Sequence, residues 1–149
     1  MRTPKRVVTG WDDNEQPIVL FSGPPTKTLN FESAQAAELW VTPSAPADVH
    51  VHTDPAVGEW QLEPQPGGSA FRLVVYSPGA QIDVHTTETL DYIVVLSGEL
   101  TLVLPNEEVT LGPGDTLVQQ ATPHGWANRS SDPCVMAAVL VSSRGVGNQ

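Results

Sequence analysis

Between residues 68 and 141 short apolar runs alternate with turn residues at intervals of about 8 to 12 residues, the rhythm of an all-β sandwich or barrel. The pattern predicts strands over 70–76, 82–84, 91–96, 100–104, 109–111, 116–120, 124–128 and 134–141. Leu104-Pro105-Asn106-Glu107 supplies one hairpin turn and Gly112-Pro113-Gly114-Asp115 the next. Upstream, 6–11 and 18–22 read as a hairpin around the polar turn 12–17, and Gly23-Pro24-Pro25 stops it. Residues 30–38 carry modest helical propensity with Asn30 as N-cap, which predicts one or two helical turns. Leu39 to Thr42 reads as a short strand ended by Pro43. The Pro-, Asp- and Glu-rich stretch 44–66 reads as an ordered loop anchored by Val49, Val51 and Trp60. Both ends read as loose: a basic one up to Arg6 and a frayed tail from Ser142.

Composition narrows the partners. The chain has 149 residues with 14 Pro and 12 Gly, which suits one turn-rich globular domain. Seventeen acidic against seven basic residues give a net charge of −10, which opposes phosphate backbones and anionic lipid. Nucleic acid and membrane are therefore not expected partners. No apolar run approaches the ~20 residues of a membrane helix, and the first ten residues lack a signal-peptide core, so a cytoplasmic location is expected. Cys134, alone and flanked by Val135 and Met136, reads as a packed, inert thiol.

Candidate chemistry gathers in two stretches. In 78–98, an extended backbone puts His85, Thr87 and Asp91 on one face, continued by Ile93 and Val95 into an apolar floor. In 114–128, a Thr-Pro turn leads into a strand on which His124, Trp126 and Asn128 alternate together.

These residues resemble the two motifs of the cupin superfamily, in its small single-domain form. Gly79, His85 and the spacing from Asp91 to Gly98 follow the first motif; Gly114, Asp115, His124 and Asn128 follow the second. Thr87 stands where the second His of the family pair falls, Asp91 where its Glu falls, and Gln119 and Ala121 where its Pro and Gly fall. The resemblance implies a double-stranded β-helix, or jelly-roll barrel, over 68–142. An N-terminal β-rich extension (1–67) would pack on it and a tail (143–149) follow, together one domain. It also implies homodimers paired through edge strands.

Two imidazoles and a carboxylate converging inside such a barrel make a facial triad, so His85, Asp91 and His124 are the candidate catalytic and metal-binding set. The ligand types suit iron, manganese, zinc or nickel without choosing among them. Asp91 is either the third ligand or the carboxylate that orients His85. Gln119, Trp126, Thr87, Asn128 and Arg72 are the candidate substrate-pocket residues. For Arg72 the rival role is a salt bridge, and for Trp126 ordinary core. His50 and His52 share a face in 48–52 but lack a third ligand, and read as surface.

The leading expectation is a metal-dependent enzyme acting on a compact oxygenated organic molecule, by dioxygenation or by redox-neutral elimination, isomerisation or decarboxylation. A metal-free lyase or isomerase using His85, Asp91 and His124 as acid and base is the alternative. A non-catalytic ligand-binding cupin is the third possibility, because one fold hosts many roles.

Overall fold

The computed structural model describes residues 4–148. Twelve strands follow in chain order: β1 (Arg6–Trp11), β2 (Pro17–Gly23), β3 (Lys27–Asn30), β4 (Ala34–Thr42), β5 (Ser69–Tyr76) and β6 (Gln81–His85). After the next turn come β7 (Thr89–Ser97), β8 (Leu100–Val103), β9 (Glu108–Leu111), β10 (Thr116–Gln120), β11 (His124–Ala127) and β12 (Cys134–Ser142). β1 and β2 form their own hairpin, a six-stranded sheet runs β10-β7-β12-β5-β4-β3, and a four-stranded sheet runs β6-β11-β8-β9. All pairings are antiparallel.

The two larger sheets close on an apolar core that includes Tyr76, Val95, Leu100, Trp126, Cys134 and Met136. This is the all-β, jelly-roll arrangement expected from the strand rhythm. Alternation decides which side chains enter. Along β7, Thr89, Asp91, Ile93 and Val95 are buried while Tyr92 and Leu96 are exposed. Burial pushes the Cys134 thiol up to about 11, which keeps it protonated and inert at neutral pH. Gly98 turns β7 into β8 at φ +75°, and a Cβ there would lie 2.3 Å from the Pro133 carbonyl oxygen. Only glycine fits that corner.

Five expectations for the flanks need correction. Residues 30–38 form no helix. They finish β3 and open β4, whose long pairing with β5 from Ala34↔Tyr76 to Thr42↔Ser69 outweighs a weak local preference. The N-terminal region thereby contributes two strands to the main sheet rather than only packing on it. Arg6 is buried, with its guanidinium on Asp54 at 2.5 and 2.9 Å and on the Leu39 carbonyl at 2.9 Å. The loop after β4 is pinned by that pair and by Ala56, 2% exposed in the short turn Pro55–Val57, whereas Val49 is 66% exposed. Trp60 does anchor it, its ring tilted 58° against Phe31 and lying under Arg72. Finally, the tail is tied down where Ser143 Oγ donates to the Glu88 carbonyl at 2.8 Å, and it ends in the turn Val146–Asn148. Residues 1–3 of the basic end and Gln149 of the tail lie outside the described residues.

Candidate functional site

Two cross-strand pairs face each other where the sheets meet. On the four-stranded sheet, β11 and β6 set His124 opposite His85, with ring centroids 4.6 Å apart. On the six-stranded sheet, β10 and β7 set Gln119 opposite Asp91. His85 and Asp91 therefore do not line one wall. The chain turns at 86–88 between β6 and β7, so they come from facing sheets. The β10–β11 connection brings the two pairs together, with Ala121 in the left-handed region at φ 53° where the family motif has Gly.

Gln119 is the bridge. It is 3% exposed, and its amide nitrogen lies 3.1 Å from Asp91 Oδ2 and 3.1 Å from His124 Nε2. His124 Nδ1 lies 2.8 Å from the Thr122 carbonyl, and His85 Nδ1 lies 2.8 Å from the Asp83 carbonyl. A carbonyl only accepts, so each Nδ1 carries a proton, and His124, disfavoured as a cation by burial, keeps its Nε2 lone pair. The Gln119 NH2 thus donates one hydrogen to a carboxylate and one to an imidazole, which fixes the orientation of the amide. Its Oε1 is buried with no partner. Burial, above all, holds the His124 pKa below its ordinary 6.5, with the neighbouring His85 acting in the same direction. Thr89 Oγ1 donates to Asp91 Oδ1 at 2.6 Å and shares a 3.2 Å hydrogen bond with Thr87 Oγ1. The result is a polar chain running Thr87, Thr89, Asp91, Gln119, His124. His85 closes it by ring contact.

The remaining candidates divide. Trp126 meets the His124 ring edge-on at 5.7 Å but is 4% exposed and belongs to the core. Asn128 stands outside the site. Its amide donates to the Tyr76 and Asp132 carbonyls, and its oxygen accepts from Ser130, holding the turn after β11. Arg72 takes the salt-bridge role. It pairs with Glu38 at 3.0 and 3.3 Å, donates to the Gln61 and Leu62 carbonyls at 2.5 and 2.7 Å, and covers the Trp60 ring at 5.0 Å. His50 and His52 are exposed, and His50 lies beside Trp11. Sequence reasoning missed Thr89 and Glu38. Thr89 was findable, since it shares the face of Asp91 two residues on.

Cavities open elsewhere on the fold. One of about 280 Å³ lies between β4, β5 and the Pro-rich loop, and its lining includes Glu38, Val41, Glu63 and Arg72. The other, about 360 Å³, lies beside Ile82, Trp126 and Asn128. Neither is lined by His85, Asp91, Gln119 or His124.

The Cupin domain family model matches residues 72–141. Over 143 residues the chain is 35% identical to "Phomopsin biosynthesis cluster protein C'" of Diaporthe leptostromiformis, covering 87% of this chain and 73% of that one. The chain belongs to the cupin superfamily. This cupin is also 32% identical over 131 residues to "Cupin-domain-containing oxidoreductase fogC" of Aspergillus ruber, with 83% and 63% of the two chains covered. A Klebsiella pneumoniae protein described by its double-stranded beta-helix domain shares the fold, at TM-score 0.55 and 16% identity, over 78% of this cupin and 84% of that chain.

The family implies a metal, and the donor set bears on it directly. Both oxygens of Asp91 are engaged, by Thr89 and by Gln119. Among the described residues no group of three or more His, Cys, Asp or Glu side chains comes together to hold an ion. The His-carboxylate-His triad is therefore not assembled in this arrangement, although its two histidines are adjacent. Among the described residues no helix is long and apolar enough to cross a membrane.

Proposed function

We propose that this cupin is an enzyme that moves a proton on a compact oxygenated organic molecule, in an isomerisation or elimination through an enolate. His124 acts as the base. The observation that carries the reading is the Gln119 amide, which ties the His124 Nε2 lone pair to the Asp91 carboxylate. An imidazole kept neutral by burial can take a proton at Nε2 near neutral pH when the substrate displaces the Gln119 amide hydrogen from that lone pair, and the nearby Asp91 charge favours the imidazolium that results. The proton that His124 takes is returned by His124 at another atom of the same substrate, beside the adjacent His85 ring, which is tilted 52° to it. Relatives carrying the names oxidoreductase and biosynthesis cluster protein support an enzymatic role.

The metal-dependent reading, with iron, manganese, zinc or nickel on His85, Asp91 and His124, requires Asp91 to leave Thr89 and Gln119. One experiment separates the two. Chelator-treated protein and its His124→Asn variant are incubated in D2O with a panel of small hydroxyketones and hydroxyaldehydes, and deuterium uptake beside the carbonyl is followed by NMR, with metal content per chain measured in parallel. Exchange that survives chelation and disappears in the variant supports acid and base catalysis. Near-stoichiometric metal, with exchange lost on chelation and restored by one ion, overturns it in favour of the metal enzyme. Exchange by no member of the panel counts against both.

A further inference from the structure

Between the Pro-rich loop, β4 and β5 lies the cavity of about 280 Å³, just under the ~300 Å³ at which typical small-molecule sites begin. Its floor belongs to the inner face of the six-stranded sheet, where Val41 pairs with Ala70 and Glu38 with Arg72. Ala70 continues the cross-strand row of Gln119, Asp91 and Leu140. The cavity thus begins two strands from Asp91, about 10 Å of backbone separation, on the same face. It is a second compartment, and none of its residues takes part in the proton transfer at His124.

The lining decides what fits. Arg72 is not free to hold an anion, because its guanidinium is engaged by Glu38 and by the Gln61 and Leu62 carbonyls. Pro43, Pro55 and Pro64 bring carbonyls without N–H groups, which leaves the wall rich in acceptors and poor in donors. Two further lining carboxylates, Glu59 and Glu63, are exposed and have no ion-pair partner among the described residues. The wall already accepts an ammonium: Lys27 Nζ, on half-buried Lys27 of β3, donates to the Gly58 carbonyl.

We propose that this compartment binds a compact organic ammonium ion, its apolar body on Val41 and Ala70 and its charge at Glu59 and Glu63. The net charge of −10 attracts such a cation and disfavours an anion. Occupancy reaches the histidine site through Glu63. One oxygen of that carboxylate accepts from the Glu88 N–H at 2.9 Å, and Glu88 belongs to the turn 86–88 that joins His85 to the strand of Asp91. An ammonium on the other oxygen draws negative charge away from this hydrogen bond, so the turn responds to the occupant.

Two-dimensional NMR of the full chain at neutral pH and constant ionic strength tests this. Cyclohexylammonium is the probe, with cyclohexanol and cyclohexanecarboxylate as its neutral and anionic isosteres. The ammonium is expected to give saturable shifts of the Val41 and Ala70 methyls and of the Glu88 amide, with a Kd at least about fivefold below that of either isostere. Glu63→Gln keeps an acceptor for the Glu88 N–H and removes the charge, and it should weaken binding about threefold. Glu107→Gln, which removes an equally exposed acid before β9, should leave binding unchanged. Equal affinity for the three probes, floor methyls that do not respond, or the same loss in Glu107→Gln overturns the proposal. The isostere comparison uses the parent alone, so it decides even where a variant fails to fold. Methyls that shift while the Glu88 amide stays still overturn the link to the turn.

Discussion

Replacing Arg72 by Met is expected to cost about 3–5 kcal/mol of folding stability, the typical cost of breaking a buried ion pair from one side. The structure supports the upper part of that range. Glu38 is 3% exposed and its carboxylate would be left without the cation, while the Gln61 and Leu62 carbonyls would lose their shared donor. A loss of about 4 kcal/mol lowers Tm by roughly 8–16 °C in a domain of this size. Glu38→Met alone should cost a similar amount, because it leaves the guanidinium buried and unpaired. The double variant discriminates: with neither charge present, the remaining cost is that of the two loop carbonyls, about 1 kcal/mol each. It should therefore recover at least half of the summed single costs. Urea unfolding followed by tryptophan fluorescence measures all four proteins, and limited proteolysis of the loop after Pro55 should accelerate in every variant lacking Arg72. A single variant within 1 kcal/mol of the parent, or a double variant costing the full sum, would refute the argument.

Three further outcomes are expected. His124, its pKa lowered chiefly by burial, binds its proton less readily folded than unfolded; the unfolded chain is therefore favoured on acidification below about 6.5. Its NMR titration midpoint should fall below 6.5, and the urea midpoint should drop between pH 7 and 5.5 by more in the parent than in His124→Asn; a midpoint at or above 6.5 would contradict this. The Asp54 carboxyl, held at about 2 mainly by its hydrogen bond from Arg6, contributes about 2 kcal/mol, fully present above 3.8 and lost as pH falls through 2. Asp54→Asn should flatten acid unfolding in that window, and an unchanged acid limb would show the pair to be idle. In Gly125→Ala the added Cβ would meet the Ile82 carbonyl oxygen at 2.5 Å, so the β6–β11 pairing beside His85 and His124 must open. A cost of about 1–3 kcal/mol is expected, with loss of the His85–His124 contact by NMR, and a variant as stable as the parent would contradict it.

Much of this was legible in the sequence because alternation is a strong code. The burial of Asp91, Ile93 and Val95 on one face of β7 follows directly from their spacing, and the turns at Gly98 and Gly114 punctuate the strands as their composition implies. The histidines and Asp91 were legible because they fall at the positions and spacing of the two cupin motifs. What escaped was long-range pairing. Nothing local tells residues 34–38 to become a strand; the instruction comes from β5, far along the chain. Equally, the chain around Thr87 reads as continuous, and only closure of two sheets reveals that His85 and Asp91 arrive from opposite sides. The partner of Arg72 could not be chosen among seventeen acids without knowing that β4 lies beside β5.

The place of β12 has a consequence for how the protein is made. Among the described strands it is the last to be synthesised, yet it lies between β5 and β7 at the middle of the main sheet. From Ser97, where β7 ends, about 45 residues must still be translated before Ser142 completes the insertion. At ~5–20 residues per second this is roughly 2–9 s, during which β5 and β7 exist without the strand that joins them and their apolar faces stay open. A ribosome that stalls anywhere between these points releases two half-sheets with a gap at their centre, not a smaller barrel.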